Sequence, residues 1–346
     1  AQQILLNYKE GKRWVASHFL NYVVFEDDEL GEIKPHFIPT SEIYLGGNYQ
    51  MFSRNIFIPP LKYYNLCREM IKEAGGIVNL IQWAIDREYY VSFFVDRKYI
   101  RASGCDKSRI HETFVYGYDN DLKEVFLVDY FRKKELKEYR CSYDEINQAY
   151  LKAGDFYYAE DKEIPIVDVM LTKYITDYQY KENAEYIKNS ISAYLSGSSI
   201  EGILDVRHTS FAPNATKHWG INSYEIFKKY IQLLVKEKKQ TRFVTVHHCH
   251  HFLDHKKSLQ FMFNELFSEK LEEKCSRDID KLVKDAEILR NISLKFWFSK
   301  RLIDKSSEET MCRLLEEMKS IEQSVLQNML DSIRKDQDEF SVKEEL

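Results

Sequence analysis

The sequence predicts an α+β fold in its first half and a mostly α-helical fold in its second. Three observations carry this. Residues 111–130 read as a β-hairpin, because two aromatic and β-branched runs, 112–118 and 125–129, flank the turn cluster Gly117-Tyr118-Asp119-Asn120-Asp121. Ser142-Tyr143-Asp144-Glu145 has the form of a capping box and launches a helix over 145–153. From Ile164 onward strand patterns nearly vanish, and apolar residues recur at helical spacing. The expected division is an α+β domain over 1–160 and a helical domain over 161–346.

In the first half, residues 14–25 form an apolar block long enough for a buried helix of about three turns, with Ala16 or Ser17 at its N-terminus. The acidic stretch 26–32 stops it. Thr40 or Ser41 can cap a short helix that Gly46-Gly47 ends. No Gly-Lys follows at phosphate-loop spacing, so this glycine pair is not a nucleotide site. Pro59-Pro60 is read as opening a helix through Ala74, closed by Gly75-Gly76. Ile77, Leu80, Ile81 and Ala84 mark a second helix over 77–86. Residues 89–95 read as a buried strand, and 139–142 as another. In the second half, helices are expected over 167–178, 181–195, 223–237, 245–267 and 270–336, the last as a charged helical hairpin with one buried stripe. Trp219 is expected in a turn before a helix cap, as an anchor between helices.

A chain of 346 residues with 30% charged and 44% hydrophobic residues has ample core for two domains and is globular rather than disordered. Its net charge of −5, with acids and bases interspersed, gives no support for a nucleic-acid partner. No apolar run reaches the roughly 20 residues needed to cross a bilayer, so no membrane partner is expected. The 6 cysteines are scattered without a Cys-x-x-Cys pair, which favours reduced thiols and a cytoplasmic location. The first residues carry no signal-peptide pattern. The charged carboxy-terminal helices are compatible with a homodimer.

Pairing the two strands of the hairpin brings His111, before the first, beside Asp129, at the end of the second. A carboxylate beside an imidazole fixes its tautomer and stabilises its cation, which suits a general base. Ser17 completes a possible serine-type triad, because a nucleophile at a helix N-terminus gains the positive dipole end and free N–H groups for an oxyanion. Cysteine is the more natural nucleophile there, but none precedes Cys67. Cys67 is read as a mid-helix packing residue, and Cys105 lies in the loop before His111. In the second half, His247, His251 and His255 fall at i, i+4 and i+8 on one helix face, a spacing that can ligate zinc, with Asp254 or Cys249 nearby. No His-Glu-x-x-His accompanies them, and the plain alternative is a helix face that packs on a neighbour. Lys256 and Lys257 read as a solvated face.

Several segments together resemble one family, the proteins with an amino-terminal domain like that of the butirosin biosynthesis acyltransferase. The segments are 40–47, 90–96, 111–130, the capping-box helix ending in Gln148-Ala149-Tyr150, Trp219-Gly220-Ile221-Asn222-Ser223-Tyr224 and Asp254-His255-Lys256-Lys257. The resemblance implies a papain-like, cysteine-peptidase-type domain: an antiparallel sheet plus an N-terminal helix, followed by a helical domain. It implies a Cys-His-Asp triad with His111 as base and Asp129 as its orienting acid. The implied activity is acyl transfer or amide formation in natural-product biosynthesis. The acyl donor would sit as a thioester on the phosphopantetheine of an acyl or peptidyl carrier protein, the acceptor would be a small-molecule amine, and no other cofactor is implied. The family's cysteine is missing. It is expected at about Ala16 or within 14–17, so either the chain is a non-catalytic relative that binds a carrier protein or peptide, or a cysteine has been replaced there. A peptidase trimming a leader peptide is the third reading.

Overall fold

The computed structural model describes residues 2–18, 22–27, 32–37, 59–131, 136–158, 169–198, 216–239 and 243–344. The first elements are α1 (Gln2–Leu5), α2 (Lys9–His18), β1 (Tyr22–Asp27) and β2 (Glu32–Phe37). Next come β3 (Leu61–Leu66), α3 (Arg68–Glu73), α4 (Ile77–Ile85), β4 (Tyr90–Asp96), β5 (Ile110–Asp119), β6 (Glu124–Asp129), β7 (Lys137–Ser142), α5 (Tyr143–Tyr158) and β8 (Val169–Tyr174). The chain continues through α6 (Ala184–Ser196), β9 (Thr216–Trp219), α7 (Ser223–Lys236), α8 (Phe243–Leu266), α9 (Glu273–Ser299) and α10 (Lys305–Glu344).

Two compact units emerge. One spans Gly47–Tyr178, and the other joins Gln2–Gly46 to Gln179–Leu346. This differs from the division expected at residue 160, because the amino-terminal segment clusters with the helical half. Its strand β1 pairs with β9 across most of the sequence.

The first unit is a sheet of order β3-β8-β4-β5-β6-β7, antiparallel throughout. Alternation decides which face is buried. The pairs Val91↔Val115, Phe93↔Thr113 and Val95↔His111 put those residues on one face with Leu127, Val125 and Asp129 of β6. Val91, Phe93, Val95, Val115, Val125 and Leu127 are all buried, beneath α4 and α5. The hairpin forms as expected, with a bulge between Val115 and Gly117. The capping box forms too: the Glu145 carboxylate accepts from the Ser142 N–H at 2.9 Å, and the Ser142 hydroxyl accepts from the Glu145 N–H at 3.2 Å.

Three helix expectations fail. The segment expected as a helix over 167–178 supplies β8, an interior strand between β3 and β4. The run Val-Met-Leu-Thr-Lys-Tyr is short and apolar, so its period does not separate strand from helix, and the sheet's open position decides. The helix expected from Pro59-Pro60 is instead β3 followed by the short α3, and Cys67 is the exposed residue before α3, not a mid-helix residue. The block over 14–25 splits at His18 into the end of α2 and the strand β1. There, Tyr22-Val23-Val24-Phe25 is a β-branched and aromatic run whose strand propensity outweighs the continuous apolar pattern.

The second unit carries a small sheet of order β2-β1-β9 and a helical layer built from α2 and α6 through α10. Its core includes Tyr22, Val24, Tyr194, Tyr224, Phe252, Phe263, Leu282, Met318 and Leu326. Trp219 ends β9, paired with Val23, rather than occupying a turn between helices. The helical hairpin α9–α10 forms as expected. The stretches 40–47 and 207–215 lie outside the described residues. Among the described residues no helix is long and apolar enough to cross a membrane.

Candidate functional site

The sheet of the first unit places His111 in the second position of β5 and Asp129 at the end of β6. Both lie on the face that elsewhere is core, so the apolar layer gives way to polar groups at one end of the sheet. Arg97 completes the cluster from the turn that follows β4. The expected proximity holds: His111 Nδ1 lies 3.9 Å from Asp129 Oδ1. That is an ion-pair distance and not a hydrogen bond. The bond that does form runs from Arg97 Nη2 to Asp129 Oδ1, with the same Nη2 2.8 Å from His111 Nδ1. Oδ1 also accepts from the Tyr130 N–H at 2.6 Å.

His111 Nδ1 lies 2.7 Å from the Glu112 carbonyl oxygen. A carbonyl only accepts and a guanidinium only donates, so the Glu112 contact calls for a proton on Nδ1 and the Arg97 contact for a lone pair there. With the proton on Nδ1, Nε2 holds the lone pair of a base. The imidazole is 42% exposed while the Asp129 side chain is 1% exposed, so the base can meet a substrate and the acid cannot. Burial pushes the His111 pKa below its usual value. Arg97 and Arg109 act in the same direction, while the Glu112 carbonyl and Asp129 oppose it. Burial likewise raises the Asp129 carboxyl, with Arg97 pulling it back down. Glu112 beside them is pushed up to about 7 by burial.

Ala16 and Ser17 belong to the other unit and close α2 instead of opening a helix. The last turn of a helix presents carbonyls and the negative end of its dipole, which repel an oxyanion. The helix N-terminus expected at Ala16 or Ser17, with its free N–H groups for an oxyanion, is therefore overturned. Ala16 is fully buried. The Ser17 hydroxyl donates to the Trp14 carbonyl at 2.9 Å. His18, stacked on the Trp14 indole at 4.3 Å, puts Nδ1 2.7 Å from that carbonyl and 2.7 Å from Ser17 Oγ. Nδ1 must donate there, so His18 is no base for Ser17. Burial depresses its pKa to about 4.

The histidine-rich helix α8 holds a cluster that sequence reasoning missed. Lys256, read as solvated, is fully buried, as is Glu322 on α10. Lys256 Nζ donates to both Glu322 carboxylate oxygens at 2.8 Å. Tyr224 OH donates to Glu322 at 2.5 Å and Tyr194 OH at 3.2 Å, bringing α7 and α6 onto the same carboxylate. The ammonium also lies 3.1 Å from His255 Nδ1, which must accept, and 4.3 Å from the Phe252 ring centroid. His255, fully buried and stacked on Tyr194 with centroids 5.2 Å apart, is thus committed to this cluster rather than to a zinc stripe with His251. The His247 side chain lies outside the described residues. Among the described residues no group of three His, Cys, Asp or Glu side chains is placed to hold a metal ion. The available signal was Lys256 at i+4 from Phe252 and i+3 from Leu253, on the apolar stripe of α8.

Set against known proteins, the chain matches no family model and no curated protein. The chemistry is therefore read from the geometry of the sites. Of the two polar clusters, the one around Glu322 is closed and saturated. The one around His111 offers a half-exposed imidazole beside a buried carboxylate, and it is the better candidate for chemistry.

Proposed function

We propose that the chain promotes acyl transfer from a carrier-protein thioester to an amine, with His111 as general base. The observation that carries this is the pairing of a half-exposed imidazole with a buried carboxylate 3.9 Å away. Among the described residues His111 contacts Arg97, Asp129 and the Glu112 carbonyl, and no hydroxyl or thiol. Direct aminolysis therefore fits better than a covalent acyl-enzyme. The amine nitrogen attacks the thioester carbonyl carbon and Nε2 takes its proton. The C–S bond then breaks, and the imidazolium returns the proton to the leaving thiolate, giving amide and free thiol. The resemblance to the butirosin-type acyltransferases supports the same donor class, a phosphopantetheine thioester.

The test is thiol release from a panel of acyl-N-acetylcysteamine thioesters with hydroxylamine as acceptor. Turnover should exceed the uncatalysed rate and fall about 100-fold or more in His111→Gln, the usual scale of a lost general base. No thioester turned over, or His111→Gln as active as wild type, sinks the proposal.

A second reading, a papain-like relative that binds a carrier protein or peptide without turning it over, is favoured by one observation. The position expected to bear the nucleophile is a buried Ala16, with the Ser17 hydroxyl committed to Trp14. Calorimetric binding of phosphopantetheinylated carrier protein without thiol release supports that reading over the first.

A further inference from the structure

We propose that Arg97 is a positioning residue that holds Asp129 off His111 and so keeps the imidazole available as a neutral base. This rests on the acyl-transfer reading of the same site. Arg97 is fixed at both ends. Its N–H donates to the Arg109 carbonyl at 2.9 Å, and its carbonyl accepts from the buried Ser103 hydroxyl at 2.6 Å. Its guanidinium carbon lies 5.4 Å from the Phe131 ring centroid. Held this way, Nη2 donates to Asp129 Oδ1 and comes within 2.8 Å of His111 Nδ1. The imidazole is left 3.9 Å from the carboxylate that would otherwise orient it.

The Arg97–Asp129 pair is also half made. A guanidinium and a carboxylate pair best through two parallel bonds. Here Arg97 Nε and Asp129 Oδ2 are both buried without a partner among the described residues. The second carboxylate oxygen is therefore free to serve the imidazole once the guanidinium leaves. Charged groups reach His111 from three directions: Arg97 after β4, Asp129 from β6, and Arg109 with Glu112 flanking it in sequence. Of these, Asp129 favours the imidazolium, as does the Glu112 carbonyl, and Arg97 occupies the carboxylate.

The experiment is a histidine NMR titration of the full chain. The His111 signal is assigned by its loss in His111→Gln. The titration is run beside the pH profile of thiol release. In Arg97→Gln the His111 midpoint should rise, and in Arg97→Gln/Asp129→Asn it should fall back. The acidic limb of the rate profile should move with it, costing about tenfold in rate there per unit of rise. Arg97→Lys keeps a charge but loses the fork, so its rise should be smaller; it carries the test if Arg97→Gln does not fold. An unchanged or lowered midpoint in Arg97→Gln, or in Arg97→Lys where only that variant folds, overturns the proposal. If the midpoint moves but no thioester is turned over, the acyl-transfer reading fails and the positioning role stands. Turnover with a fixed midpoint gives the reverse.

Discussion

Replacing Glu322 by glutamine keeps the shape of the side chain and removes its charge. In the wild type that carboxylate receives the Lys256 ammonium on both oxygens at 2.8 Å, the Tyr224 hydroxyl at 2.5 Å and the Tyr194 hydroxyl at 3.2 Å. The amide offers one acceptor oxygen where there were two, and it turns an NH₂ group toward donors. Lys256, 0% exposed, is left as a buried cation without a counter-ion. Removing one partner of a buried pair costs about 3–5 kcal/mol, because the survivor remains desolvated. Glu322→Gln should therefore lower the urea midpoint of the full chain by that equivalent. The double replacement Lys256→Met/Glu322→Gln should recover much of it, since the bare cation is gone and the amide oxygen still accepts from a tyrosine hydroxyl. The coupling energy from the cycle should be of the order of the single-mutant loss. A Glu322→Gln loss below about 1 kcal/mol, or a double mutant whose loss equals the sum of the singles, refutes the reasoning.

Gly220 has φ +54, and a Cβ there would lie 2.2 Å from the Tyr194 carbonyl oxygen, so Gly220→Ala should cost about 2–4 kcal/mol, read as a fall in Tm. His18, held neutral with a pKa of about 4 against 6.5 unfolded, binds its proton more readily in the unfolded chain. Its contribution is present above pH 6.5 and lost as pH falls toward 4, by at most about 3 kcal/mol. His18→Gln should remove that acid sensitivity, and equal pH dependence in variant and wild type argues against it. Glu112, raised to about 7 from 4.5, works the other way: its contribution is full below pH 4.5 and lost as pH rises through 7. Glu112→Gln should hold stability between those values, measured as Tm against pH, and a slope like wild type's sinks the assignment.

What was legible in the sequence follows the range of the signal. The hairpin and capping box were readable because turn chemistry and Ser142–Glu145 act over a few residues, and His111 was placed beside Asp129 on that local pairing alone. Strand β8 was not readable, because its partners β3 and β4 are far away in sequence and its own run fits either period. Ala16 and Ser17 were assigned to the wrong end of a helix because an apolar block does not announce where helix gives way to strand. Arg97 carried no signal of its own; only the geometry of the turn after β4 brings it to Asp129. Lys256 misled for the opposite reason. A lysine beside another lysine reads as solvated, and its buried partner Glu322 lies on another helix.

Glu322 and Asp129 explain why chemistry is assigned to one unit and structure to the other. Glu322 is saturated: a cation and two hydroxyls from three other helices spend its oxygens, and His255 takes another of the ammonium's protons. Such a group has nothing left to offer a substrate, and any movement of it leaves charges bare. Asp129 is less fully engaged: among the described residues Oδ2 has no partner, and its guanidinium partner binds through one nitrogen while Nε has none. The imidazole next to it reaches solvent. A buried polar atom without a partner costs about 1–3 kcal/mol, and among the described residues Oδ2 and Nε both carry that cost. That cost is difficult to explain if the cluster is only structural. It is accounted for if Asp129 must exchange between Arg97 and the imidazolium that His111 becomes when it takes a proton, which is what a base and its orienting acid do during turnover.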